Sequence, residues 1–580
     1  MVDLILWNSI ANRRRSPSDT FLENGLGTLK SYIEKQGFNV HIIDWATSDY
    51  WETFTPKILS KINRYLATKL ISSGNRNKLL TYFIKPVFLL SQSLMSRFQE
   101  RAMYTALLNL AKSFRKDGCP VLGIKVWYGE AYRAAKTFAN LVHTLAPEIL
   151  IVAGGPHATI YREAILGDNV FDISVIGEGE RALSAILGLA RRTYSKNNLL
   201  DKIIHEAKNN RLKNVVYRDG SEIKITTIDK ADANKKNIPT YDNMDGKTRI
   251  HVVVDSLGCE WAKCNFCVHS NVYPDHTLRD PQSVIDEIET MISKDIGIFR
   301  FAGSSSSLDH ICEIARLLTE KDIKIIYSMF ARSVPKSSEE ENYRKIVESY
   351  RLLIRTGLRA VFVGGESADD KILKSVMGKG LCKKEIIATI KAMKQAAEEE
   401  GLPLDIGLSL IYPTPTMREM SLEKLKLLNI ELVEETNPDS VLVNPPAPFP
   451  GTTWFNHSTQ FGFELGQNFV QKMLNYDYVL YKPPNLWPDI DLKLEEMDFH
   501  QILNECQNLR KSLEENGVVT EVTDEHFLMM RASGYTGREG ALTFKQNALL
   551  DILSCDYKWI NNMQEKVNQT SRAQARLNRN

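Results

Sequence analysis

The sequence predicts an α/β chain: a doubly wound, Rossmann-like parallel sheet, then a partial (β/α)6 barrel, then a helical C-terminal region. Three observations carry that prediction. Apolar strands alternate with amphipathic helices in two separate runs along the 580 residues, the signature of parallel sheets covered by helices. A polar, lysine-rich stretch at 200–250 separates the two runs, and after about 455 the sequence turns helical and polar. A chain of this length exceeds one ordinary core. The expected division is 1–200 for the first α/β unit with a helical, basic insertion at 52–117, 201–248 for a linker, 249–455 for the barrel and 456–580 for a helical extension.

In the first unit DLILW forms a strand, LGTLKSYIEKQG a helix ended by Gly37, and FNVHIIDW a strand ending at Asp44. The alternation resumes with PVLGIKVWY, a helix through AAKTFANLVHTLAP, the strand EILIVAGG, and FDISVIGEGE leading into the helix RALSAILGLARR. NVVYRDGSEIKITT reads as a hairpin turned at Asp219–Gly220. The barrel strands are HVVVDS, GIFRFAG, IKIIYSMF, RAVFVGGES, LDIGLSLIY and DSVLVNPP. Sheets of both kinds place ligands beyond the carboxyl ends of their strands. The last twenty residues, ending TSRAQARLNRN, read as a frayed tail.

The composition, 43% apolar and 25% charged, is that of a globular protein, and a net charge of +2 gives no case for nucleic-acid binding. No run approaches the ~18–20 apolar residues of a membrane span. Arg13–Arg15 follow the first apolar segment and do not precede it, unlike a secretion signal. A cytoplasmic location is the expectation. Residues 57–117 hold twelve Lys or Arg against Glu100 and Asp117. Amphipathic helices there imply either a peripheral contact with an anionic membrane or a solvated face.

Of eight cysteines, three crowd together in HVVVDSLGCEWAKCNFCVHS: Cys259, Cys264 and Cys267. The other five stand alone and read as small buried residues. A strand running into a glycine and three thiols sets soft metal ligands at a strand's carboxyl end. Structural zinc wants four ligands, and His269 is the available fourth. A four-iron cluster on three thiolates instead leaves one iron open to a cofactor or substrate.

On these residues the chain resembles radical S-adenosylmethionine (radical SAM) enzymes of the subgroup with an N-terminal cobalamin-binding domain. Gly258, Cys259, Cys264, Phe266 and Cys267 match the family's cysteine loop, with four residues (Glu260–Lys263) where the family has three. The resemblance covers about residues 1–455 and implies a 4Fe-4S cluster on the three cysteines that reductively cleaves SAM to a deoxyadenosyl radical. Phe266 would lie near the adenine. Ala302, Gly303 and Ser304 would face the SAM amino group, Arg332 matches a basic position, and Glu366 and Ser367 match a pair near the SAM ribose and carboxylate. The residues alone offer plainer roles: Gly364–Gly365 as a turn, Ser367 as a helix cap and Arg332 in a surface ion pair. LIYPTPTM lacks the glutamate that relatives carry there.

ILIVAGGPHAT and SVIGEGERAL resemble two hallmark loops of the cobalamin-binding part. Gly154, Gly155, Gly177, Glu178 and Gly179 are the candidate contacts, since glycines admit close backbone approach. His157 is a candidate cobalt ligand or a loop hydrogen-bonder. Trp127 and Tyr128 either cover the corrin or pack in the core. The resemblance implies cobalamin-dependent methylation of an unactivated carbon on a small-molecule, lipid-like or peptide substrate. It also implies an electron donor such as flavodoxin or ferredoxin. Oxidative cyclisation or rearrangement is the alternative reaction, and a zinc-stapled binding protein the alternative class.

Overall fold

The computed structural model describes residues 2–8, 17–47, 50–73, 78–117, 119–193, 195–303, 306–416, 420–476 and 487–579. The first sheet contains β1 (Leu4–Asn8), β2 (Val40–Asp44), β3 (Val121–Lys125), β4 (Leu150–Gly154), β5 (Ile173–Val175), β6 (Val215–Asp219) and β7 (Glu222–Ile225). Their order is β2-β1-β3-β4-β5-β6-β7. The first five run parallel and the last two form an antiparallel hairpin. Every residue of β1 and β3 is buried, as a sheet covered by helices on both faces requires. The parallel order 2-1-3-4-5 reverses between β1 and β3, which opens a crevice at their carboxyl ends.

The hairpin corrects two expectations. Asp219 pairs with Glu222, so the turn residues are Gly220 and Ser221, with Gly220 at φ +63. Because β6 pairs with β5, the stretch expected to be a linker from 201 instead extends the first sheet as its antiparallel edge. Val215 and Val216 are fully buried, and that burial draws the hairpin onto the sheet.

The second sheet contains β8 (Ile250–Val253), β11 (Ile298–Phe301), β12 (Ile326–Arg332), β13 (Leu358–Glu366), β14 (Asp405–Ile411) and β15 (Ser440–Asn444). A small ribbon of β9 (Ser256–Leu257) and β10 (Thr277–Leu278) follows β8. The six strands pair in parallel in the order β15-β14-β13-β12-β11-β8. β8 and β15 do not pair with each other, so the barrel is open. All six strands read from the sequence are present.

The C-terminal region fills the opening. Val441 of β15 exchanges backbone hydrogen bonds with Val519 (2.9 Å) and Glu521 (3.0 Å). The helix Asp524–Ala532 then enters the barrel, where Phe527, Leu528 and Met530 share a core with Ile250, Ile298 and Ala360 from the strands' inner faces. Arg300 of β11 grips the buried Asp524 through two hydrogen bonds of 2.8 and 3.1 Å, and Ser328 of β12 donates to the same carboxylate at 2.8 Å. This region also contains a three-stranded antiparallel ribbon, β16 (Phe463–Leu465), β17 (Leu492–Leu494) and β18 (Met497–Asp498), which the helical expectation for 456–580 missed.

The final segment is not frayed. Lys558–Arg576 is one helix whose Ile560, Met563, Val567, Ser571 and Ala575 are buried. Its side chains serve the amino ends of the barrel strands: Ser571 Oγ donates to Arg249 O at 2.7 Å and accepts from Gly297 N at 3.0 Å. Gly297 has no room for a side chain, since a Cβ would stand 2.6 Å from Ala575 N and 2.7 Å from Ser571 O. Gly297→Ala is therefore expected to lever this helix off the barrel, lowering stability by about 1–3 kcal/mol. The urea midpoint and the rate of proteolytic release of the C-terminal helix measure it.

Candidate active site between the two sheets

The three-cysteine loop has almost no regular structure and is pinned from outside. Asn265 donates its backbone N–H to Met377 O (2.8 Å) and its side-chain amide to Val376 O (3.0 Å). Trp454 donates its N–H to Asn265 O and its indole N–H to Val376 O, both at 3.0 Å. Trp261 donates its indole N–H to Gly378 O at 2.7 Å. Its ring lies against Gly380, where a Cβ would come within 2.1 Å of it, and Arg332 stacks above with its guanidinium carbon 4.8 Å from the ring centroid. The residue extra to the familiar spacing falls in this stretch, where Ala262 takes φ +46 and the indole becomes an anchor.

The thiols form no disulfide and are half-buried. Burial pushes the Cys264 thiol up to about 12, against the pull of the Lys379 ammonium, and raises Cys267 as well. Burial alone thus favours the protonated thiols, and a bound metal would supply the positive charge that thiolates need there. Among the described residues no group of three or more His, Cys, Asp or Glu is gathered tightly enough for a single ion.

Around this loop the barrel presents a polar lumen. Glu366 is buried at the carboxyl end of β13, where the register against β14 slips between Gly364 and Glu366 and Glu366 takes the left-handed φ of +61. One carboxylate oxygen accepts from Lys379 Nζ and the other from Ser409 Oγ at 2.7 Å. Gly364 makes the room, because a Cβ there would meet Glu366 Oε1 at 2.5 Å and Lys379 Nζ at 2.8 Å. Both Gly364 and Gly365 lie within β13, so neither forms the turn considered from sequence. Ser367 does not cap the helix: its Oγ accepts from Asp369 N at 3.3 Å in a local turn, and Asp369 Oδ1 accepts from Ile372 N at 2.9 Å where the π-helical turn Ile372–Val376 begins. Arg332 makes no surface ion pair; it donates to Lys379 O at 2.7 Å. Phe266 packs on Trp454 with ring centroids 5.8 Å apart. Gly303 donates its N–H to Asp255 Oδ1 at 3.2 Å, while Asp255 Oδ2 is buried without a hydrogen-bond partner. Ser304 lies outside the described residues.

A cavity of about 920 Å³ separates the two sheets, toward the upper end of the ~300–1,000 Å³ typical of small-molecule sites. Gly154, Gly155, Gly177, Glu178 and Gly179 line it from the first sheet, together with Trp127 and Tyr128. Ser256, Val268, His269 and Ala302 line it from the barrel, and Thr523, Glu525 and His526 from the C-terminal helices. Gly155 at φ +100 and Gly177 at φ +64 are backbone geometries suited to glycine. A Cβ on Gly155 would also crowd Lys125 Cγ at 3.2 Å. The cradle thus offers bare backbone to a large ligand, which fits a corrin.

His157 does not line the cavity. Its ring packs against Trp127 and Tyr128, with centroids 5.5 and 5.0 Å away, and its Nδ1 is buried without a hydrogen-bond partner among the described residues. Burial, aided by Lys125, lowers its pKa to about 4. Glu178 instead carries the polar wall, accepting from Lys236 Nζ at 2.6 Å and Tyr273 OH at 3.1 Å.

Sequence reasoning missed Trp261, Lys379, Ser409, Asp255 and Glu495. Lys379 had a signal, being framed by glycines in MGKG after the Glu–Ser pair. Glu495 had none: it reaches from the C-terminal ribbon to accept from Thr416 N at 2.9 Å, beside the loop whose own glutamate is missing.

Two parallel sheets whose carboxyl ends face each other, one over a glycine cradle and one over a three-thiol loop, define a class. Two separate stretches of the chain match domain models of this kind. The B12 binding domain family model matches residues 102–187 and the Radical SAM superfamily model matches residues 253–403. Solved structures of similar fold hold cobalamin with a [4Fe-4S] cluster, or cobalamin with S-adenosylmethionine.

The anaerobic magnesium-protoporphyrin IX monomethyl ester cyclase of Cereibacter sphaeroides is 24% identical over 285 residues, 46% of this chain and 43% of that protein. The same-named protein of Rubrivivax gelatinosus is 24% identical over 245 residues, covering 41% and 42%. The match thus spans less than half the length of these relatives. Among solved structures, the radical SAM methyltransferase TsrM of Kitasatospora setae superposes with TM-score 0.58 at 12% identity, over 95% of this chain and 99% of that one. The cobalamin-dependent radical enzyme OxsB superposes with TM-score 0.54 at 14% identity, over 96% and 72%. At such identities the likeness is one of fold.

Two outcomes test this geometry. Lys379→Met strands the Glu366 carboxylate and is expected to cost about 3–5 kcal/mol, with part of the loss restored in the Lys379→Met/Glu366→Gln double variant; urea unfolding measures both. Because His157 is harder to protonate when folded, the unfolded chain binds the extra proton first. Stability should therefore fall as pH drops from about 6.5 towards about 4. His157→Phe is expected to flatten that part of the profile of melting temperature against pH.

Proposed function

We propose that this chain methylates an unactivated carbon of a substrate held in the cavity, as a cobalamin-dependent radical SAM enzyme. The observation that carries the proposal is that one cavity touches both the glycine cradle of the first sheet and the barrel's carboxyl end beside the cysteine loop. In this reading Cys259, Cys264 and Cys267 hold the cluster, with Arg332, Glu366, Ser367, Gly303 and Phe266 around the SAM site. Gly154, Gly155, Gly177, Glu178, Gly179, Trp127 and Tyr128 hold cobalamin. The bound cofactors supply the electron that cleaves SAM and the carrier for the methyl group.

The protein's own contribution is position. Trp261, Arg332 and the 376–380 segment fix the loop, so the reacting groups meet without a search. On the cavity wall burial lowers the pKa of His526, and Glu525 is paired with Arg300 at 3.2 Å. An external one-electron donor of the flavodoxin or ferredoxin type would complete the system.

A second reading is oxidative cyclisation, favoured by the cyclase names of both curated relatives. The two differ in the fate of SAM. Anaerobically reconstituted enzyme, reduced and given SAM, is expected to form methylcobalamin and S-adenosylhomocysteine, followed by visible absorbance and mass spectrometry. Formation of 5′-deoxyadenosine with neither of those products would replace methylation by the cyclase-type reaction.

A further inference from the structure

Exposed large apolar side chains concentrate on the inserted helices. Among the described residues, twelve of the eighteen exposed large hydrophobic side chains fall between Ile58 and Tyr104. These belong to the helices Lys57–Ser73 and Lys78–Asp117. Their inner faces are already satisfied: Leu66, Ala67 and Phe88 pack with Leu550 and Leu553, and Met95 packs with Cys555, Tyr557 and Ile560. On the long helix Phe83, Val87, Leu90, Leu94 and Phe98 recur every three or four residues and are 65%, 54%, 64%, 38% and 54% exposed. That spacing makes one continuous stripe. Ile58, Ile62 and Tyr65 repeat the pattern on the shorter helix at 75%, 42% and 64% exposure. A soluble monomer seldom leaves such a stripe in water without a partner.

Charge selects the partner. The exposed cations Lys57, Lys61, Lys85, Arg97 and Arg101 are interleaved with the stripes, and residues 57–117 carry twelve Lys or Arg against two acidic residues. Pairing two copies of this face would set cation against cation. A shallow pocket of about 530 Å³ opens on the shorter helix, bordered by Lys61, Arg64, Lys69 and Lys558 with Tyr65, Thr68 and Asp556; Arg64 is paired there with Asp551 and Asp556, and the remaining cations keep the rim basic. Aromatic rings at the edge of an apolar stripe flanked by cations are the chemistry of a membrane interface. Among the described residues no helix is long and apolar enough to cross a bilayer, so the contact lies along the surface.

We propose that the helical pair 57–117 docks this protein onto an anionic lipid bilayer, with the stripe Phe83–Phe98 entering the headgroup layer and the lysines and arginines meeting lipid phosphates. The test is flotation of the anaerobically reconstituted full chain with vesicles of phosphatidylcholine alone or mixed with phosphatidylglycerol, at low and high salt. Binding is expected on the anionic vesicles, weakened by salt and weak on the neutral ones. Each exposed cation near the surface contributes about fivefold. Lys85→Glu/Arg97→Glu/Arg101→Glu is therefore expected to lose on the order of a hundredfold or more. Phe83→Ser/Leu90→Ser/Leu94→Ser should lose most of the remaining binding while keeping the wild-type melting temperature and cofactor content. Failure of the wild-type chain to float with anionic vesicles at low salt overturns the proposal. So does equal binding by the serine variant, and so does a dimer in sedimentation velocity that the serine substitutions dissociate. Capture by polyglutamate with no vesicle binding would assign the face to an acidic protein instead.

Discussion

The cysteine loop between Gly258 and Val268 is held by what surrounds it, and the remaining site geometry follows from that constraint. Its contacts converge on one short stretch, 376–380, at the end of the β13 unit. Asn265, Trp454 and Trp261 all donate to carbonyls there, and Arg332 closes over the indole. The same stretch supplies Lys379, whose ammonium lies within the electrostatic reach of Cys264 while bonded to Glu366. One strand-to-helix connection therefore carries the mechanical anchor of the thiols and a positive charge that acts on Cys264 and Cys267. Only glycines admit this. Gly378 at φ +65 would place a Cβ 2.4 Å from Lys263 O, and Gly380 must leave space for the Trp261 ring.

That anchor also decides how the sheets cooperate. β13 lies in the middle of the open barrel, and the thiol loop follows β8 at its edge, so fastening the loop to 376–380 draws the edge strand's exit across the barrel mouth. The first sheet is tied on from the other side: Lys247 Nζ pairs with Asp44 at 2.5 Å, and Thr248 bonds Thr20 through both backbone and hydroxyl at 2.8 Å. Arg162 and Tyr273 bridge the far rim, to Asn271 O at 3.2 Å and to Glu178 at 3.1 Å. Between these ties lies the cavity, so both sheets' functional ends meet across a single space.

Much of this arrangement was legible in the sequence because its causes are local. The strand-to-helix alternation of both units, the glycines after EILIVA and SVI, and the three thiols each declare themselves within a dozen residues. What escaped depended on distant partners. The hairpin 215–225 looks like a linker by composition and becomes a sheet edge only because β5 has a free side. TSRAQARLNRN looks frayed because it is polar, yet Ser571 meets a backbone donor and acceptor at the foot of the barrel, 274 and 322 residues away in sequence. The fourth residue in the first cysteine gap reads as a departure until Trp261 is seen seated between Gly378 and Gly380. His157, conspicuous beside two glycines and a proline, packs its ring against Trp127, Tyr128 and Tyr161.

The C-terminal region is the part whose sequence said least, and physically it links everything else. Asp524 is fully buried and would be intolerable inside a barrel without the Arg300 guanidinium and the Ser328 hydroxyl. In turn, Arg300 and Asp405 at inward positions of β11 and β14 would be unpaired charges without Asp524 and Arg531. The strands and the helix Asp524–Ala532 therefore specify each other: neither inner face is stable alone. From that helix the chain passes to Gly537–Ser554, which turns Phe544, Ala548 and Ile552 to the cavity and Leu550 and Leu553 to the inserted helices. A single helix thus has one side on the cavity and the other on the exposed basic pair. Any ligand that orders the cavity wall, or any surface that seats the inserted helices, acts on the same eighteen residues.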